Sequence, residues 1–138
     1  MNKKGFTLVE VLVAVVIIGI ALVGLMAANG SFTTNNAYGL ELSTSEFLIE
    51  QIKEMTTLLQ YDNLHSLDEV VYNPPKNADG EDLTDLGAFS QQIIVENVSA
   101  SDFQTVVADD STAFIRVTVR ILFNSKLVNS ASWLRASY

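Results

Sequence analysis

A single carboxylate, Glu10, stands inside an apolar run from Phe6 to Ala28, and Lys3-Lys4-Gly5 stands immediately before that run. A carboxylate at the centre of a membrane helix costs about 2.5–3.5 kcal/mol on insertion scales, and less near the edge. Such a group needs a partner. The run holds no lysine, arginine or histidine. The partner must come from another chain or from a positive group made later. Cutting the Gly5–Phe6 bond would make one, because it frees an amine at residue 6. Gly5 suits such a cut, having no side chain to obstruct a protease at the backbone.

Other residues offer little chemistry. His65 is the only histidine and has no metal-ligand companion, so it reads as an exposed loop residue. There is no cysteine, which removes disulfides and thiolate metal sites. Asn77-Ala78-Asp79-Gly80-Glu81-Asp82 looks like part of a calcium loop. It lacks the alternating ligands and terminal bidentate glutamate of that motif, and a plain acidic turn accounts for it better. No histidine–nucleophile pair, phosphate loop or metal cluster occurs, and the carboxylates are scattered without an acid–base partner. The sequence therefore points to no enzyme, no cofactor and no metal.

The element that positions Glu10 is the apolar run itself. Phe6 to Ala28 is 23 residues with one charge and no proline. As a helix it measures about 34 Å, enough to cross a hydrocarbon core of about 30 Å. Lys3 and Lys4 mark the preceding end as cytoplasmic. A cleaved secretory signal fits the charged start, but the run is too long and no clean Ala-x-Ala site closes it. A simple uncleaved anchor and a buried core helix are further readings; the density of valine and isoleucine favours lipid over a core. Gly19, Gly24 and Ala28 would let another helix approach closely.

Lys-Gly-Phe-Thr-Leu-Val-Glu-Val-Leu-Val-Ala at 4–14, followed by Ile-Ile-Gly-Ile-Ala-Leu-Val-Gly at 17–24, resembles the N-terminus of the type IV prepilin and pseudopilin superfamily. The resemblance is specific over residues 1 to about 30 and extends beyond them only as a general layout. It implies that prepilin peptidase, a membrane-embedded aspartyl enzyme, cuts after Gly5 and N-methylates Phe6. It implies that Glu10 serves subunit recruitment and register in a filament, neutralised by the amine of a neighbouring Phe6. It implies as partners other pilin or pseudopilin subunits, an inner-membrane assembly platform, and the cytoplasmic membrane before assembly. Many major pilins carry a mid-helix proline, whereas this chain has none before Pro74. A flexible break would have to rest on Asn29-Gly30.

The remaining chain reads as a small soluble head. The net charge is −8, and two of the few basic residues, Lys3 and Lys4, precede the run, so an acidic head faces away from nucleic acid and anionic lipid. Arg116, Arg120, Lys126 and Arg135 leave room for one local basic patch. Ser31 to Ala37 reads as a short loop or as helix leaving the membrane. Leu48, Ile52, Met55 and Leu59 recur on one helical face, which predicts a helix over 41–60. Residues 61–88 are acidic and loop-rich, with Asn73-Pro74-Pro75 and Asp79-Gly80 as breakers. Strands are expected over 91–98 and 103–107, with the clearest at 114–123. There Ile115, Val117, Val119, Ile121 and Phe123 face one way, and Arg116, Thr118 and Arg120 the other. Asn124-Ser125-Lys126 turns the chain into a return strand over 127–135, whose Trp133 closes the sheet against the helix.

The expected fold class is α+β: a long N-terminal helix, membrane-spanning in its first half and amphipathic in its second, packed on a small antiparallel β-sheet. The expected organisation is a cleaved cytoplasmic leader at 1–5, a transmembrane and assembly helix at 6–30, its continuation at 31–61, and the acidic loop with the sheet at 62–138. The expected function is a minor pilin or I-type pseudopilin of a type IV pilus-like filament or type II secretion system. The head would lie outside the cytoplasm on a single-pass inner-membrane anchor. The competing reading is a membrane-tethered binding domain that never polymerises and uses 62–85 as its recognition surface.

Overall fold

The structure, a computed structural model, describes residues 7–108 and 111–137. The chain divides into two compact units, Met1–Gly39 and Leu40–Tyr138. One helix, α1 (Leu8–Leu58), contributes to both.

In the first unit every described residue is exposed, including Leu8, Val11, Leu12, Val15, Ile18 and Leu22. A helix apolar all round finds nothing in its own chain to cover it. It is also long and apolar enough to cross a membrane. Residues 31–37 continue the helix, so the loop reading of that stretch is corrected. Asn29-Gly30 does not break the helix either. Thr33 and Thr34 donate their hydroxyls to the carbonyls of Asn29 and Gly30, both at 3.0 Å, so these side chains are satisfied within the helix.

In the second unit, the α1 residues from Leu40 onward pack on a four-stranded sheet. Its strands are β1 (Val71–Tyr72), β2 (Phe89–Asn97), β3 (Phe114–Phe123) and β4 (Lys126–Ala136), in that spatial order and antiparallel throughout. Alternation decides which face is buried. Phe89, Gln91, Ile93, Val95 and Asn97 of β2 and Ile115, Val117, Val119 and Ile121 of β3 point inward. They meet Leu48, Ile49 and Ile52 of the helix, with Met55, Leu59 and Trp133 at the margin. Asn124 and Ser125 both have positive φ, 48° and 66°, as a two-residue type I′ hairpin turn requires. β4 ends the sheet and leaves one backbone edge without a strand among the described residues.

Two side chains tie helix to sheet. Gln91, fully buried, donates to the carbonyls of Leu48 (3.2 Å) and Lys76 (3.0 Å) and accepts from the Lys76 amide (2.7 Å). The Arg135 guanidinium donates to the carbonyls of Thr56 (2.7 Å) and Leu59 (3.3 Å) at the helix C-terminus. A cation there complements the helix dipole.

Residues 61–88 hold more structure than their composition suggests. Tyr61–Leu67 and Thr84–Leu86 are 3-10 turns, and β1 pairs with β2. His65 lies half-buried in the first turn rather than on an exposed loop. Residues 103–107 are not a strand. Only an isolated bridge, Val98 to Val106, forms there, because Asp102 accepts from the amides of Gln104 and Thr105 and curls the backbone.

Candidate functional site

Thr7 is the N-cap of α1, and Glu10 is its third helical residue. The Thr7 amide and hydroxyl both donate to Glu10 Oε2 at 2.9 Å, and the Glu10 amide points back to Thr7 Oγ1 at 3.3 Å. This is a capping box, in which two backbone N–H groups at the helix start are satisfied reciprocally. The carboxylate also sits at the positive end of the helix dipole.

The first partner of Glu10 is therefore three residues away on its own chain. The sequence alone sends the search for a partner outside the helix, whereas neutral donors from Thr7 serve the carboxylate here. The sequence signal was available in the Thr-x-x-Glu spacing at 7–10. Gly5 and Phe6 lie outside the described residues. The nitrogen that Glu10 holds at 2.9 Å belongs to Thr7, the residue directly after Phe6 in the sequence. A carboxylate bound to that nitrogen is one residue along the chain from the one that cleavage would free.

Within the chain, a side chain placed at Gly19 or Gly24 would meet nothing within 4 Å. A mid-helix glycine costs about 1 kcal/mol relative to alanine. Among the described residues no contact offsets that cost.

The other candidates come apart. Lys76 Nζ donates to the Gly80 carbonyl (2.9 Å) and to Asp82 (2.8 Å), while Asn77 Oδ1 accepts from the amides of Asp79 and Glu81. The 77–82 turn thus carries its own cation on oxygens that a calcium ion would need. Among the described residues no cluster of three or more His, Cys, Asp or Glu side chains could hold a metal. The four late basic residues do not gather into one patch: Arg135 caps the helix, Arg116 pairs with Glu96 at 2.7 Å, Lys126 sits beside the hairpin turn, and Arg120 is exposed further along β3.

Residues 1–26 match the family profile described as the prokaryotic N-terminal methylation motif. Beyond it, the chain matches no curated protein and no solved structure. That motif family is structural rather than enzymatic, and it implies processing by prepilin peptidase and pilin-type assembly. With an apolar N-terminal helix behind it, the motif marks a membrane-anchored precursor. Over those 26 residues the chain is similar to type IV prepilin-like precursors.

Proposed function

We propose that this chain is a minor pilin or pseudopilin, matured at Gly5–Phe6 and polymerised through its N-terminal helix. The observation that carries the reading is the start of α1: a methylation motif over 1–26, an apolar helix exposed on every side, and one carboxylate held at the helix cap. Residues 1–5 are the cytoplasmic leader, 6–30 the anchor and assembly helix, 31–61 its continuation, and 62–138 the head outside the cytoplasm. Phe6 receives the methyl group. Glu10 gives register by accepting the Phe6 amine of a neighbouring subunit. Before assembly its carboxylate rests on Thr7, which reduces the cost of carrying it in the membrane. Bare Gly19 and Gly24 give neighbouring helices room to approach.

Mass spectrometry of the membrane fraction tests the first step. Cells with active prepilin peptidase should yield a chain beginning at N-methyl-Phe6. An intact Met1, or a cut near Ala28, would overturn the reading and favour a tethered domain that does not polymerise. The copy number in purified filaments then separates a minor subunit from a major one.

A further inference from the structure

On the outer face of the sheet, a recess of about 530 Å³ is lined by Phe103, Gln104, Arg116, Thr118, Arg120 and Ser132 among others. We propose that this recess binds an acidic saccharide, with the sugar carboxylate on Arg120 and a ring face on Phe103. The proposal stands whether or not the chain polymerises.

The charge argument comes first. Arg116 is committed: it donates to Glu96 at 2.7 Å and to the Gln104 carbonyl at 3.3 Å. Arg120 is exposed and makes no hydrogen bond or ion pair among the described residues. A guanidinium offers a planar fork of donors that fits a carboxylate. With Glu96 neutralised by Arg116, the Arg120 guanidinium is left to pair with a carboxylate from outside the chain.

The rest of the recess suits a hydroxyl-rich ring. Thr118 and Ser132 face each other across β3 and β4 with oxygens 2.8 Å apart, and the Gln104 side-chain amide makes no hydrogen bond among the described residues. These groups can donate and accept. Phe103 supplies a flat apolar wall: it is 39% exposed and braced edge-on by Phe114 at 5.1 Å. Its φ of 56° is a left-handed backbone that bulky residues avoid. The surrounding loop holds it there. Phe103 N donates to the Ser99 carbonyl (2.9 Å), Ser99 N to the Thr105 carbonyl (2.9 Å), and Asp102 binds the Gln104 and Thr105 amides at 3.0 Å. Strain kept by so many contacts is a mark of functional positions. Arg116 and Arg120 lie four residues apart on β3, about 13 Å, so the recess accommodates more than one ring.

The test is calorimetric titration of the full chain in detergent micelles with tetragalacturonate, with maltotetraose as the neutral probe and inorganic phosphate as the simple anion. Tetragalacturonate should bind at about millimolar affinity or better, and maltotetraose should not bind. Arg120→Gln should weaken binding about tenfold or more by removing a charge-assisted pair. Phe103→Asn removes the ring while tolerating the left-handed backbone, and should weaken binding to a similar degree. Lys126→Gln, outside the recess, should change it less than about twofold. Equal binding of maltotetraose, phosphate displacing the uronate at matched concentration, equal loss from Lys126→Gln, or no heat with tetragalacturonate would each overturn the proposal.

Discussion

The proposed function gives Glu10 an assembly duty besides its cap, and a single substitution separates the two. Glutamine at the third helical residue can still reach back to the cap, but it carries no charge. Glu10→Gln should therefore leave cleavage at Gly5–Phe6 intact and lower incorporation into filaments about tenfold or more, the loss expected when a buried charge pair is removed. Immunoblots of sheared filaments against the membrane fraction read this out, and normal incorporation would remove the charge from the assembly argument. Thr7→Val does the reverse: it deletes the cap and keeps the charge. It should cost about 1 kcal/mol at the helix end, seen as faster hydrogen exchange at residues 8–11. The carboxylate was legible in sequence because it stands alone in an apolar run. Its cap is harder to read, because a lone carboxylate in an apolar run calls first for a cation, and the Thr7 hydroxyl is a neutral donor. A different carboxylate answers to pH. The Thr105 hydroxyl, then the Gln104 and Thr105 amides, hold the Asp102 carboxyl well below the usual carboxylate range, at about 2. A lowered folded-state pKa stabilises the loop above the unfolded value and loses that contribution as pH falls through the folded one. The 98–107 loop should stay ordered at pH 4 and loosen towards pH 2, which an NMR titration of the Asp102 carboxyl follows.

Among the elements, the hairpin of β3 and β4 was the most legible. A ten-residue alternation with a two-residue polar turn leaves little freedom, and β3 occupies the expected residues. The helix face of Leu48 and Ile52 was read for the same reason. β1 escaped because two residues carry no period; only pairing with β2 makes Val71–Tyr72 a strand. The 103–107 stretch misled in the other direction: its apolar residues suggest a strand, but Asp102 captures the amides that a ladder would use. Gln91 was the least legible of all. A polar residue at an inward position looks like a fault in the strand, yet it joins helix, loop and sheet. Gln91→Leu should cost about 2–3 kcal/mol, because it strands a buried amide and two carbonyls. Ser125→Gly should stabilise the hairpin by about 0.5–1 kcal/mol, since φ of 66° suits glycine. Urea melts of the head measure both.

For the whole molecule, the division at Gly39 and Leu40 has a practical meaning. The hydrophobic core lies within the second unit. A fragment of residues 40–138 should fold as a soluble, cooperatively unfolding domain, judged by dispersed NMR spectra and a single thermal transition. Failure would mean that the apolar helix supplies stability the core lacks. That helix is the part of the chain whose partners are least visible from within it, which is why a motif over 26 residues speaks for assembly while the head speaks for itself. The open edge of β4 carries a consequence for any array of such heads. Crowded side by side, identical heads meet at effective concentrations of about a millimolar, where a bare strand edge invites zipping into mixed sheets. Lys126, exposed at the hairpin end of that edge, is the kind of charge that opposes such pairing between two copies. The head is thus suited to stand close to copies of itself without sharing a sheet with them.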